Sequence, residues 1–117
     1  MITATGNSLS ALSAFQKKMD VTANNIANVL TDEFKKSRVT MQESEPSGIN
    51  AVVDRVETPG VPKETIRNDE PALVESSNVD LAEELVEMIP TRTAYGANLK
   101  ALKTQEEMMG SLLDIFG

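Results

Sequence analysis

The sequence predicts a mainly α fold: long N- and C-terminal helices pairing as a coiled coil or bundle, joined by a short irregular or β-ribbon middle segment. Three observations predict it. Residues 81–116 hold a heptad seam of Leu81, Leu85, Met88, Arg92, Tyr95, Leu99, Leu102, Glu106, Met109, Leu113 and Phe116, apolar except at Arg92 and Glu106. A second seam of Leu9, Leu12, Met19, Ala23, Ile26 and Leu30, with Gln16 as its polar member, lies near the N-terminus. Between the two seams sit all but one of the 5 prolines, at Pro46, Pro59, Pro62 and Pro71. The chain divides accordingly into an N-terminal helix and turn over 1–36, a middle segment over 37–76, and a C-terminal helix over 77–117.

The first helix is predicted from Thr5 to Leu30, with Phe15 and Val29 flanking its seam. Asn24, Asn25 and Asn28 lie on its other faces. Asn is a mediocre helix former, so this stretch is locally weak. The three amides suit either a solvated face near a fraying end or a row that bonds neighbouring subunits. Thr31-Asp32-Glu33 interrupts the pattern, and a turn that tucks Phe34 back onto the helix follows.

The middle segment reads as either a flexible linker or a small β-ribbon. Ile49 to Val56 is Val-rich enough for one strand, although Val52 beside Val53 breaks strict alternation. A second short strand is predicted near Ile66 or Leu73-Val74. An isolated two-stranded ribbon is marginal in water, so any ribbon here must lean on the helices or on a partner.

Ser76-Ser77-Asn78-Val79-Asp80 is a dense N-cap signal, with Ser77/Asp80 or Asp80/Glu83 as the capping box. Acidic residues at Asp80, Glu83 and Glu84 suit the positive end of the helix. Pro90 predicts a bend or break near Ile89-Pro90, because it removes a hydrogen bond and crowds the preceding turn; Gly96 adds softness. A second stripe of Ala94, Ala101, Met108 and Ile115 implies packing against two neighbours. A straight helix over 81–116 spans on the order of 50 Å. A chain of 117 residues with 3% aromatic content has no globular core to wrap it, so the helix seeks other helices.

Composition narrows the function. A net charge of -7 and no Lys/Arg stripe argue against nucleic acid. No apolar run approaches the ~20 residues of a membrane span, and the N-terminus does not read as a cleavable secretion signal. With no His and no Cys, the usual general base, thiol nucleophile and common metal ligands are missing, so no catalytic residue, cofactor or metal site is expected. Asp32-Glu33, Glu83-Glu84 and Glu106-Glu107 read as solvated charged faces rather than as catalytic pairs.

Both ends of the chain resemble a known family. Ser10 to Gln16, then Met19 to Asn28 with its Ala23-Asn24-Asn25-Ile26-Ala27-Asn28 core, then Thr31 to Lys35, are similar to the N-terminal signature of bacterial flagellar axial proteins, the rod, hook and hook-associated family. Ser77 to Ile89 with Asn78-Val79-Asp80, Ala94 to Lys100, and Leu112 to Ile115 resemble that family's C-terminal signature. Leu30, Glu33, Arg92, Thr93 and Gly96 depart from the usual pattern. The family's Gly at the position of Glu33 supports a tight turn, so Glu33 implies a looser turn or continued helix.

The resemblance implies a non-enzymatic structural subunit of the flagellar basal-body rod, most like a small proximal-rod subunit because its middle segment is short. It implies terminal helices that pair as a coiled coil and assemble with other rod and hook subunits and with copies of the same chain. It also implies export from the cytoplasm through the flagellar type III apparatus without signal cleavage, to a periplasm-spanning rod that serves motility. The competing reading is a soluble helical adaptor or export chaperone that binds amphipathic client helices, which would need neither terminal signature.

Overall fold

The computed structural model describes residues 2–117, and the side chains from Thr3 onward. Six elements follow in order: α1 (Ile2–Ala27), β1 (Ser37–Glu43), β2 (Ile49–Arg55), β3 (Pro62–Arg67), β4 (Glu70–Glu75) and α2 (Leu81–Phe116). Helix, strands and helix together form a narrow body of 77 × 24 × 22 Å. Only Ala11, Ala14 and Val74 are buried apolar side chains among the described residues.

α1 begins and ends three residues earlier than the seam predicts. It stops because the asparagines compete for backbone groups. The Asn28 side-chain amide donates to the Asn24 carbonyl at 2.9 Å, and the Thr31 hydroxyl donates to Asn28 Oδ1 at 3.1 Å. The chain then reverses through Glu33, whose φ is 60°. The turn is therefore tight without glycine, contrary to the looser turn or continued helix expected. Glu33 N–H donates to the Glu75 carbonyl at 2.8 Å, which holds the residue in a conformation L side chains disfavour.

The middle segment is two antiparallel hairpins rather than a linker or one ribbon. The first pairs Val39 with Val53 and Met41 with Ala51. Strand β1 escaped the sequence reading although Arg38-Val39-Thr40-Met41-Gln42 alternates with a period of two. This hairpin leans on α1. Ser10 Oγ accepts from Ile49 N–H at 3.2 Å, and Asn25 holds Ser37 at the other end. Seven residues of strand match the fifteen residues of helix between those anchors, each about 23 Å long. Gly48 (φ 113°) lies so close to α1 that a Cβ there would sit 2.8 Å from Ser10 Oγ.

The second hairpin pairs Thr65 with Ala72 and closes through Asn68 and Asp69, with φ of 56° and 65°. Two consecutive left-handed residues are the turn that matches strand twist, and Asn and Asp tolerate it best after Gly. β3 and β4 pack on neither helix. They hang from the α1 exit turn through Glu33–Glu75, through Lys63–Asp32 at 2.6 Å and through Lys35–Glu75 at 2.6 Å.

α2 runs unbroken from Leu81 to Phe116, with Pro90 inside it. The predicted break does not occur. Pro90 has no N–H for the Val86 carbonyl, and the nearby hydroxyls do not replace it: Thr91 Oγ1 donates to the Glu87 carbonyl at 2.9 Å and Thr93 Oγ1 to the Ile89 carbonyl at 3.0 Å. Asp80 is the N-cap and accepts from Ala82 and Glu83 N–H. The capping box is not completed, because the Glu83 carboxylate reaches Lys36 Nζ at 2.8 Å instead.

Candidate functional site

Two faces of the helix pair divide the chemistry between them. α1 and α2 run antiparallel: Asn25 meets Glu84, Lys18 approaches Glu87, and Ser8 meets Gln105. The contacting faces are small and polar. On α1 the buried residues are Ser8, Ala11, Ala14, Thr22 and Asn25. On α2 they are Glu84 and Thr91, and the half-buried Asn98 and Gln105 continue the same line. These four α2 residues recur every seven positions, a polar heptad beside the apolar one.

Asn25 anchors this inner face. It is 2% exposed, the least exposed side chain among the described residues. Its Nδ2 donates to the Ser37 carbonyl at 2.8 Å and to Glu84 Oε2 at 3.2 Å, while its Oδ1 accepts from Ser37 N–H at 3.0 Å. One amide thus ties α1, the start of β1 and the first turn of α2 together. Lys36 Nζ lies 4.0 Å from Glu84 and 2.8 Å from Glu83, so the buried carboxylate has both a hydrogen-bond donor and a cation beside it. At the other end Gln105 Nε2 donates to Ser8 Oγ at 3.3 Å, and Gln105 Oε1 is buried without a partner; turning that amide over would let it accept from the Ser8 hydroxyl.

Asn78 ties the entry to α2. Its Oδ1 accepts from Lys36 N–H at 2.6 Å, and its Nδ2 donates to the Val56 and Thr58 carbonyls, both at 2.9 Å. Gly60 belongs to the same knot, since a Cβ there would overlap the Ser76 carbonyl. The other motif residues act locally. Asn24 and Asn28 bond each other, Asp80 caps α2, Val79 N–H donates to Ser77 Oγ at 3.2 Å, and Ala23 and Ala27 are exposed. Of the three asparagines, only Asn25 is buried against the rest of the chain. The roles of Lys36, Ser37 and Glu84 escaped the sequence reading; the polar heptad from Glu84 to Gln105 was the signal.

The apolar seams lie mostly elsewhere. Leu9, Leu81, Leu85, Leu99, Met109, Leu113 and Phe116 are exposed, as is Ala23. Leu12, Met19, Ile26, Met88, Tyr95 and Leu102 are half-buried. In the second stripe Ala101, Met108 and Ile115 are exposed and Ala94 is half-buried. Arg92 and Glu106 face solvent; Gln16 donates to Asp20 at 2.9 Å. Intrachain pairing therefore leaves most of the α2 seam outward, while of the apolar α1 seam residues within the helix only Leu9 and Ala23 are exposed. No helix among the described residues is long and apolar enough to cross a membrane. Nor does any group of three or more His, Cys, Asp or Glu among them stand where it could hold a metal ion.

The same two ends match known proteins. Residues 7–35 match the family described as flagella basal body rod protein, and residues 71–115 match the flagellar basal body rod FlgEFG protein C-terminal family. Relatives include the flagellar basal-body rod protein FlgG of Buchnera aphidicola subsp. Acyrthosiphon pisum (strain APS), 51% identical over 39 residues, which are 33% of this chain and 15% of that protein. FlgG of Bacillus subtilis (strain 168) is 49% identical over 43 residues, or 37% of this chain and 16% of that protein. The chain thus matches a small fraction of these relatives' length. The two family matches cover more than half of the chain between them, at opposite ends and on the two helices just described. The chain belongs to the flagellar basal body rod protein family, whose members are structural components rather than enzymes.

Proposed function

We propose that this chain is a structural subunit of the flagellar rod that assembles with copies of itself and with other rod and hook subunits through the outward apolar faces of α1 and α2. One observation carries the reading: the two helices meet largely through a small, polar face, which leaves Leu9, Leu81, Leu85, Leu99, Met109, Leu113 and Phe116 of the heptad seams exposed. Exposed seams of this length are interaction surfaces rather than ordinary protein surface. Supercoiled pairing of these seams with neighbouring helices is the arrangement their period favours.

In this reading 1–36 and 77–117 are the axial segments, and 37–76 braces them. Leu9, Leu12, Met19, Ala23 and Ile26 form one seam; Leu81, Leu85, Met88, Tyr95, Leu99, Leu102, Met109, Leu113 and Phe116 form the other. The short middle segment suits a proximal-rod-like position in the periplasm-spanning rod. Delivery there requires passage through the export apparatus without signal cleavage.

The test is a pair of substitutions chosen from the outward seam. Leu85 and Leu99 are 49% and 50% exposed, whereas Leu102 is half-buried along the α1-facing line. Leu85→Glu with Leu99→Glu should abolish incorporation into isolated basal bodies and leave the thermal melt of the free chain within a few degrees of the parent. Normal incorporation of the double variant would refute the proposal.

A further inference from the structure

We propose, on the assembly reading above, that Met108 and Met109 form a peroxide-oxidisable site on α2 whose conversion to sulfoxides keeps the subunit from assembling. With no Cys and no Trp in the chain, the thioether of methionine is its most readily oxidised side chain. The methionines are not equally open to an oxidant. Met108 and Met109 are 48% and 38% exposed, whereas Met19, Met41 and Met88 are half-buried. The neighbours from 106 to 116 are all exposed as well, so the approach is open along this end of α2.

Placement gives the pair its effect. Consecutive helix residues stand about 100° apart around the axis. Met109 therefore belongs to the heptad seam, with Leu113 and Phe116, and Met108 to the second stripe, with Ala101 and Ile115. Oxidation of the two puts a polar group on both apolar stripes of α2 at once. Met108 also lines a shallow groove of about 390 Å³ with Leu112 and Ile115, so its sulfoxide oxygen enters an apolar wall. In the reaction the sulfur lone pair attacks one oxygen of hydrogen peroxide, the O–O bond breaks and an S–O bond forms. Sulfur loses two electrons, and the other oxygen takes them and leaves with the proton as water. The product is polar and chiral where the thioether was flexible and apolar. Burying it against a neighbour without a hydrogen-bond partner is unfavourable. Both side chains face solvent in the single chain, so the intrachain fold survives the change. Assembly covers the seam, so the free subunit is the form that reacts.

Trypsin separates the sulfurs, because Met19, Met41 and Met88 each fall on a peptide of their own and Met108 and Met109 share the peptide 104–117. In the dilute parent chain treated briefly with hydrogen peroxide, peptide 104–117 should take up oxygen several-fold faster than the other three. Concentrated after that treatment, the chain should lose its large species in sedimentation while its helical circular dichroism stays the same, and reduction by methionine sulfoxide reductases should restore them. Equal uptake by all four peptides would overturn the proposal. So would loss of large species on peroxide treatment of a chain carrying Met108→Leu and Met109→Leu. Large species that persist with both sulfurs fully oxidised would overturn it and leave the assembly reading standing. A chain that is monomeric at every concentration before peroxide would overturn both.

Discussion

Asn25 concentrates the conformational information of the N-terminal motif in one side chain. All three of its hydrogen bonds reach beyond α1, to Ser37, which is half-buried, and to Glu84, which is buried. Removing it strands a backbone N–H and a buried carboxylate, each costing about 1–3 kcal/mol or more. Asn25→Ala should therefore lower the unfolding free energy by about 2–3 kcal/mol in urea melts. Asn25→Asp should cost at least as much, since it sets a second carboxylate against Glu84. A loss under 0.5 kcal/mol for either would show that the amide is not the anchor (a threshold of about the size expected for a surface substitution). Glu33 carries the opposite expectation. Its φ of 60° suits Gly, so Glu33→Gly should stabilise by about 0.5–1 kcal/mol in the same assay, the strain relieved exceeding the added chain entropy. The sequence shows that three asparagines crowd one helix turn. It does not show which of them points inward, because that depends on how α2 lies across α1, and the partner Glu84 is 59 residues away.

Elements differ in how openly the sequence announces them. The long helices follow from seam length, and the cap of α2 follows from Asp80. β1 and the hairpin turn at Asn68-Asp69 were readable in principle, through alternation and through residues that accept left-handed backbone. The attachment of the hairpins was not readable, because it is made by isolated pairs such as Lys63–Asp32 and Lys35–Glu75. The second pair predicts a pH dependence. The hydrogen bond from Lys35, then its charge, and a smaller contribution from the Gly60 backbone outweigh desolvation and hold the Glu75 carboxyl below its ordinary value of 4.5. A carboxyl depressed in the fold stabilises at neutral pH and loses that contribution as pH falls below the ordinary value. The protection of β4 amides relative to their intrinsic exchange rates should fall on acidification below about pH 4.5, and Lys35→Met should flatten that dependence; an unchanged profile in the variant would remove Lys35 from the account. Pro90 is the element-scale misreading. The helix continues through it although the Val86 carbonyl loses its N–H partner, and Pro90→Ala should raise stability by roughly 1–3 kcal/mol in thermal melts monitored at 222 nm (the usual helix band). Equal or lower stability would show that the proline is structurally required.

At the scale of the molecule, the chain is a slender body whose helices meet through small and polar residues and expose many of their large apolar ones. The heptads in the sequence identify helices that need partners, but a heptad alone does not say which side faces the sister helix. The structure assigns that side to Ser8, Ala11, Thr22 and Asn25 against Glu84, Thr91, Asn98 and Gln105. Polar lines of this kind set register at some cost in stability, while the exposed seam residues are the surface proposed to meet neighbours. Sedimentation velocity of the unmodified chain over a wide concentration series tests this most directly. The account predicts that the sedimentation coefficient rises steadily with concentration into large species, more steeply at high salt, where repulsion among chains of net charge -7 is screened. A single monomeric boundary at every concentration and salt would contradict it.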